Sequence, residues 1–552
     1  MKDQSYNNLK KASVLVSVII LFLGLNSVLS ACSGGSNSNQ IIRVYGCEPQ
    51  MKLVPGNASE TCGGTIVDTV FSGLVTYNKD GSIKNEIAES IVPDPDNKVY
   101  TIHLKNDWKF SDGEIINSDS FLKSWNYTAL STNRQSNQSF FDIIQGYDEV
   151  SDENPQVKIL SGLQKVDDYT FKIVLKEPSI TFPLRLGYSA FFPVPNSKFD
   201  TEGILDESYG EKPISNGPYI VESWQHDQII SLRLNSNYKG SYIPKNQGVD
   251  YIIYSDGAQA AYSDVQSGNL DLLEQIPSTQ IRTFKNDESV NSFSEVSPLY
   301  RGIQIDKNLP HFAWDEEGIL RREAISLSIN RQEIINKIFA DTANLPVAYV
   351  PNNELISGAT DFVEGNQILE FNPQLAKNKW QEADKIKDFK NPEFNIYYNA
   401  DSGEKAFFEA VSNSIKTSLN ISSTAKSVPD KKTLLTMEQM HEVKGVYRNN
   451  WQPDYPSIEN YLTPVFSTQA IDNGANYSAF SNEGFDNLLF EAATASSIDS
   501  ANKIYQTAES LLFKFLPSIP TYVPDISAVS SKSLKGVAFN WKSVPEYTEL
   551  YK

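Results

Sequence analysis

Strand alternations and helical stripes interleave along this chain from about residue 41 onward, and that mixture over so long a stretch is what most limits its fold. About 510 of the 552 residues carry it, more than one hydrophobic core usually supports, so at least two lobes are expected. Tyr100, Ile102 and Leu104 share one face of a half-buried strand at 99–104, which leaves His103 on the polar face. Tyr169, Phe171, Ile173 and Leu175 repeat the pattern, closed by Pro178. Between them a Ser118/Asp119 cap signal precedes Phe121, Leu122 and Trp125, which predicts a short helix. Leu320, Ala324 and Leu327 predict another, and Asn330 with Glu333 reads as a capping box opening a helix with Ile334, Ile335 and Ile338 inside. Ile504, Ala508, Leu511, Leu512 and Phe515 form the clearest stripe, stopped by Pro517. With no short internal repeat, the expectation is α/β lobes and not a solenoid or an all-β array.

The N-terminal segment carries an address. Lys2, Lys10 and Lys11 precede a run at 14–29 that is apolar apart from Ser17, Asn26 and Ser27. It is short of the roughly 20 residues of a membrane span and fits a secretory leader. Leu29-Ser30-Ala31-Cys32 resembles the lipobox of bacterial lipoproteins, which implies a signal peptide over 1–31 and Cys32 as the lipidated first residue of the mature chain. The Gly/Ser/Asn-rich stretch at 32–40 then reads as a flexible tether. The expected location is the outer, extracellular or periplasmic, side of a bacterial membrane.

Charge and cysteines exclude several classes. The net charge is −20 with no dense basic run after the leader, so the electrostatic footprint of nucleic-acid binding is missing. Cys47 and Cys62 are the two remaining cysteines, and an oxidising compartment predicts that they pair. His103, His226, His311 and His441 are scattered without metal-ligand spacing. There is no phosphate loop, His-Glu-x-x-His or Gly-x-Ser-x-Gly elbow. Carboxylate-pair chemistry leaves no signature in sequence. No catalytic residue, metal ligand or cofactor is assigned.

A series of segments resembles, in order, the family 5 extracellular solute-binding proteins, the receptors of oligopeptide and dipeptide ABC importers. Residues 71–75, Asp80-Gly81 and Ile87-Ala88-Glu89 match one stretch, and 98–105 followed by Phe110-Ser111-Asp112-Gly113 the next. Asn216-Gly217-Pro218-Tyr219 with Trp224 and Asn235 follows, although Lys239 replaces the usual Trp after Tyr238. Gly268-Asn269-Leu270-Asp271, residues 321–331, Trp451-Gln452-Pro453-Asp454-Tyr455-Pro456 with Asn460-Tyr461-Leu462, and Leu516-Pro517 with Ile519-Pro520 complete the series.

The turns and the paired-helix segment at 321–331 are explained as scaffold. The loop at 451–456 is different, because two aromatics and one carboxylate between two prolines suit an ammonium group. The resemblance implies, for Asp454 alone, that it binds the α-ammonium of a peptide; Trp451 and Tyr455 are read from the loop itself as the aromatic walls. Ser457 and Ile458 depart from the Asp and Pro common in peptide receptors, and relatives of the fold bind oligosaccharides, nickel chelates or haem. It further implies a two-lobed periplasmic-binding-protein-like fold with a cleft. Lobe I would comprise 41–75, 206–300 and 516–552, an inserted subdomain 76–205, and lobe II 301–515. The expected function is a lipid-anchored, non-enzymatic receptor that hands peptides to an ABC permease, working as a monomer and touching membrane lipid through Cys32. A non-peptide solute is the alternative within the fold, and a cell-surface hydrolase or adhesin the alternative outside it.

Overall fold

A single thirteen-residue strand, Ser518–Ser530, runs through both halves of the molecule. In the computed structural model the described residues are 41–552 apart from Asp256, Asp361, Glu442 and Val443. The leader, the Cys32 site and the 32–40 tether lie outside them. The strand follows the helix Ile498–Phe515, which ends where Leu516 turns left-handed (φ 48°) and Pro517 removes the next backbone donor.

The two ends of that strand serve different sheets. Its first half pairs antiparallel with Tyr300–Gln304, and the order continues through Val446–Trp451 and Glu393–Asn399 to Ser422–Val428. Its second half pairs with Asn291–Val296 and Leu272–Leu273, and the order continues through Ile41–Gly46, Gly248–Ile253 and Ile229–Leu234 to Tyr219–Gln225. The chain therefore passes between lobes at 297–299 and again at 523–524. The two crossings are joined, since the Ser297 N–H donates to the Pro524 carbonyl at 3.0 Å.

A separate antiparallel sheet has the order Ala88–Pro93, Val99–Leu104, Thr170–Val174 and Leu163–Asp167. Tyr100, Ile102, Leu104, Phe171, Ile173 and Leu175 all face its buried side, as their period of two requires. The helix Ser118–Ala129 covers it, capped by Asn117, one residue before the expected signal, because Asn117 Oδ1 accepts from the Ser120 N–H. Buried side chains fall into three main clusters: Leu74 to Phe191 around this sheet, Ile42 to Leu550 in the first lobe, and Tyr300 to Trp541 chiefly in the second. A disulfide joins Cys47 to Cys62, whose Cα atoms are 5.5 Å apart, and so ties the end of the first strand to the helix Thr61–Val70.

The paired helices of the second lobe, Glu316–Ser328 and Arg331–Ile338, bury more charge than their apolar stripe suggests. Arg321 and Arg322 are both 0% exposed. Arg321 meets Glu317 at 2.9 Å, while Arg322 donates to the Phe312, Ile305 and Leu516 carbonyls. Arg331 likewise spends its fork on the carbonyls of Pro520, Ser326 and Leu369. Guanidinium donors here substitute for secondary-structure hydrogen bonds where loops meet.

Candidate functional site

The loop at 451–456 is placed by the elements on either side of it. Trp451 ends the strand Val446–Trp451 opposite Tyr300, and its indole Nε1 is buried without a hydrogen-bond partner among the described residues. Beyond it the Asp454 N–H donates to Asn460 Oδ1 at 2.6 Å, so the helix Glu459–Phe466 holds the loop from one side. From the other, the Ser357 N–H donates to the Pro456 carbonyl at 3.1 Å. The turn at 78–82 packs onto this same corner. Gly81 sits at φ 73°, where a Cβ would fall 2.6 Å from the Leu355 carbonyl oxygen, so a side chain has neither room nor an easy conformation there.

Asp454 faces charge from the first lobe. Burial pushes its carboxyl up to about 6, against the opposing pull of Lys542, the Asn460 hydrogen bond and Arg185. Lys542 is itself caged. Its ammonium lies 2.6 Å from Asp68 Oδ2, 4.9 Å from the Tyr188 ring centroid and 5.1 Å from that of Trp541. Gln452 Nε2 donates to the Lys542 carbonyl at 3.2 Å, which brings the two loops into direct contact. Two carboxylates about one lysine leave one negative charge over. Tyr77 and Tyr188 feel it, their hydroxyls being raised well above the usual phenol range by burial and by the fields of Asp68 and Asp454.

Tyr455 does not join Asp454 as a wall. It is 1% exposed, and its hydroxyl donates to the buried carboxylate of Glu459. Arg185 of the subdomain stands beside this pair, 3.6 Å from Glu459 Oε1, 3.6 Å from Asp142 Oδ1 and 5.6 Å from the Tyr455 ring centroid. Tyr455 thus belongs to a contact between lobes, and Trp451 packs against the second-lobe core.

Beside these loops opens a cavity of about 1140 Å³. Its walls come from both lobes: Asp68, Tyr77 and the 536–549 segment on one side, Asn353, Glu354 and Leu355 on the other, with Glu295 and Val296 at the crossing. Trp541 and Lys542 line it, whereas Trp451, Asp454 and Tyr455 do not. Tyr77 meets Trp541 edge-on, with ring centroids 5.3 Å apart, so the wall is aromatic where it adjoins the acidic loop. Sequence reasoning missed Lys542, Asp68, Arg185 and Glu459. The one local signal was the Asn540-Trp541-Lys542-Ser543 turn, in which Asn540 Oδ1 accepts from the Lys542 and Val544 N–H groups and an aromatic adjoins a cation. Among the described residues no group of three or more His, Cys, Asp or Glu is placed to hold a metal ion, and no helix is long and apolar enough to cross a membrane.

The model of the bacterial extracellular solute-binding proteins, family 5, matches residues 82–473. The oligopeptide-binding protein OppA of Bacillus subtilis is 24% identical over 543 residues, covering 94% of this chain and 96% of that protein. The dipeptide-binding protein DppE of the same organism is 22% identical, covering 85% of this chain and 84% of that protein. Among solved structures, the unliganded open form of the periplasmic murein tripeptide-binding protein MppA superposes with a TM-score of 0.76 at 21% identity, covering 94% of this chain and 98% of that one.

Proposed function

The chain belongs to the family 5 bacterial extracellular solute-binding proteins, and on that premise we propose that it is the receptor of an ABC importer, capturing oligopeptides or dipeptides between its lobes. The observation that carries the peptide reading is the Asp454 carboxylate, set beside an aromatic-walled interlobe cavity with one more negative charge around it than Lys542 balances. An α-ammonium is the ligand group that completes such a site. The remainder of an extended peptide then lies in the cavity, held through its backbone, and closure of the lobes buries it. Every step is a binding or conformational step, and none makes or breaks a covalent bond.

Within this reading Cys32 is the lipid anchor, which keeps the receptor near its permease and raises the local concentration there. The receptor works as a monomer. The division into lobe I (41–75, 206–300, 516–552), subdomain (76–205) and lobe II (301–515) is supported in outline by three clusters of buried side chains, although Phe192, Val194 and Leu205 pack with the first lobe and Leu74 and Val75 with the subdomain. Native mass spectrometry of the purified protein, followed by calorimetry with the peptides released from it, tests the proposal. Release of peptides that rebind supports it, whereas retention of a sugar or chelate with no peptide binding overturns the peptide assignment.

A further inference from the structure

The wall of the cavity is out of charge balance, and the imbalance gathers around Glu546. Its backbone is fixed, since the N–H donates to the Ala538 carbonyl at 2.9 Å. Glu546 lines the cavity, yet among the described residues its carboxylate makes no hydrogen bond and no ion pair. Burial and the neighbouring Glu549 push that carboxyl up to about 7, and Lys79 opposes them only from a distance. Glu549 is already spent on Lys245, at 2.6 Å. A second carboxylate, Glu86, lies on the other side of Tyr242, whose hydroxyl feels both acids. Glu86 is 3% exposed and accepts from the Tyr238 hydroxyl at 2.8 Å and from Ser241 N and Oγ at 3.0 and 2.7 Å. All of these donors are neutral groups. The nearby Lys105 ammonium is directed to the Glu86 carbonyl instead, at 2.6 Å. The Tyr242 hydroxyl cannot satisfy Glu546 either, because it donates to the Tyr77 carbonyl and accepts from Thr76.

A part-buried carboxylate in an aromatic cavity wall, with no donor of its own among the described residues, is placed to receive a cation. We propose that Glu546 is the counter-ion for a cationic side chain of the bound peptide, so that the receptor selects peptides carrying lysine or arginine. The aromatic rings of Tyr77, Tyr242 and Trp541 in the same wall suit the methylene stem and the charged head of such a side chain. This inference rests on the peptide reading above and adds a preference to it.

Calorimetry on the full mature protein at neutral pH, using tetra-alanine with one lysine walked through its four positions, tests the preference. Each peptide is compared with its Nε-acetyl-lysine counterpart. At one position lysine should bind at least tenfold more tightly than acetyl-lysine. Glu546→Gln should cut that ratio below threefold while leaving the affinity for tetra-alanine within twofold, which also shows that the variant folds. Equal affinities at every position, with tetra-alanine still binding, overturn the cationic preference and leave the peptide reading standing. No binding by any peptide overturns both. A lysine preference that survives Glu546→Gln overturns the role of Glu546. Should Glu546→Gln fail to bind tetra-alanine, Glu546→Asp replaces it, and the ratio on the unaltered protein decides the preference by itself.

Discussion

The guanidinium of Arg185, in the subdomain, lies 3.6 Å from the carboxylate of Glu459, in the second lobe. Around it the Ile180 N–H donates to the Ala493 carbonyl at 2.8 Å, and Asn97 Nδ2 to the Ala495 carbonyl at 3.3 Å. All three contacts join the 76–205 segment to the 301–515 segment, and so help to hold the two together.

Arg185→Met should therefore weaken closure. It strands the 4% exposed Glu459 with only the Tyr455 hydroxyl, a loss of roughly 3–5 kcal/mol for a buried pair broken on one side. Solution scattering on the liganded variant should show a larger radius of gyration, and ligand affinity should fall at least tenfold. Arg185→Met with Glu459→Gln should recover part of the loss. A pair of single variants whose costs simply add would show that the contact carries no closure energy.

Asp454→Ala should weaken binding of free peptides by about a hundredfold or more, from the roughly 3 kcal/mol or above expected for an unpaired buried ammonium. N-acetylation of the peptide should cost the unaltered receptor a similar factor and the variant far less. Because burial pushes this carboxyl up to about 6, affinity for free peptides should drop as pH falls through that value. Acetylated peptides should show no such drop. Calorimetry at pH 7.5 and 5 measures both effects, and equal binding of free and acetylated peptides removes Asp454 from the role.

Stability should fall as pH rises from about 5 to about 8. Burial raises Glu274 and Glu438 to about 8 and Glu509 to about 7, whereas in the unfolded chain such groups lose their protons near pH 4. Between those limits the native state holds more protons than the unfolded one, so deprotonation favours unfolding. Calorimetric Tm of the ligand-free protein should be several degrees lower at pH 8.5 than at pH 5.5. A flat or rising profile would count against these carboxyls being buried.

Reduction of the Cys47–Cys62 bridge should cost roughly 3 kcal/mol, the chain-entropy value for a loop of its 15-residue separation. Intact mass after alkylation, with and without reductant, verifies the bond, and urea unfolding of the two forms gives the difference.

Cys32→Ala should leave a longer, unlipidated precursor in the cell that bears this protein. Labelling with a lipid probe and a mass measurement of the N-terminus check it; normal processing and labelling of the variant would remove Cys32 as the anchor.

The elements that repeat a local period were open to reading in the sequence. The 99–104 strand, the stripe ending at Pro517 and the Asn330 cap each depend on neighbours a few residues away. Even there the reciprocal half of the capping box is missing, because the Asn330 N–H donates to Ser414 Oγ and not to Glu333. Asp454 stood out through the motif around it. Its setting did not, since Lys542 and Asp68 meet across 474 residues of chain, a separation no local pattern encodes. Tyr455 shows the limit within the motif itself. Its spacing from Asp454 was plain, but which way the ring turns is decided by Arg185 and Glu459, from two other elements. Arg322 and Arg331 escaped for a related reason: their partners are backbone carbonyls, which carry no mark in the side-chain sequence.

The strand Ser518–Ser530 also fixes when the molecule can be finished. It is the last strand in the described chain, and it supplies hydrogen-bond partners to the sheets of both lobes. During synthesis the second lobe consequently remains one strand short until residue 522 has left the ribosome, and the first until residue 530, however early their other strands emerge. A premature stop before residue 518 would then leave two unfinished lobes, with Tyr300–Gln304 and Asn291–Val296 both deprived of the same neighbour. Neither lobe has a complete version that the other's absence would leave behind.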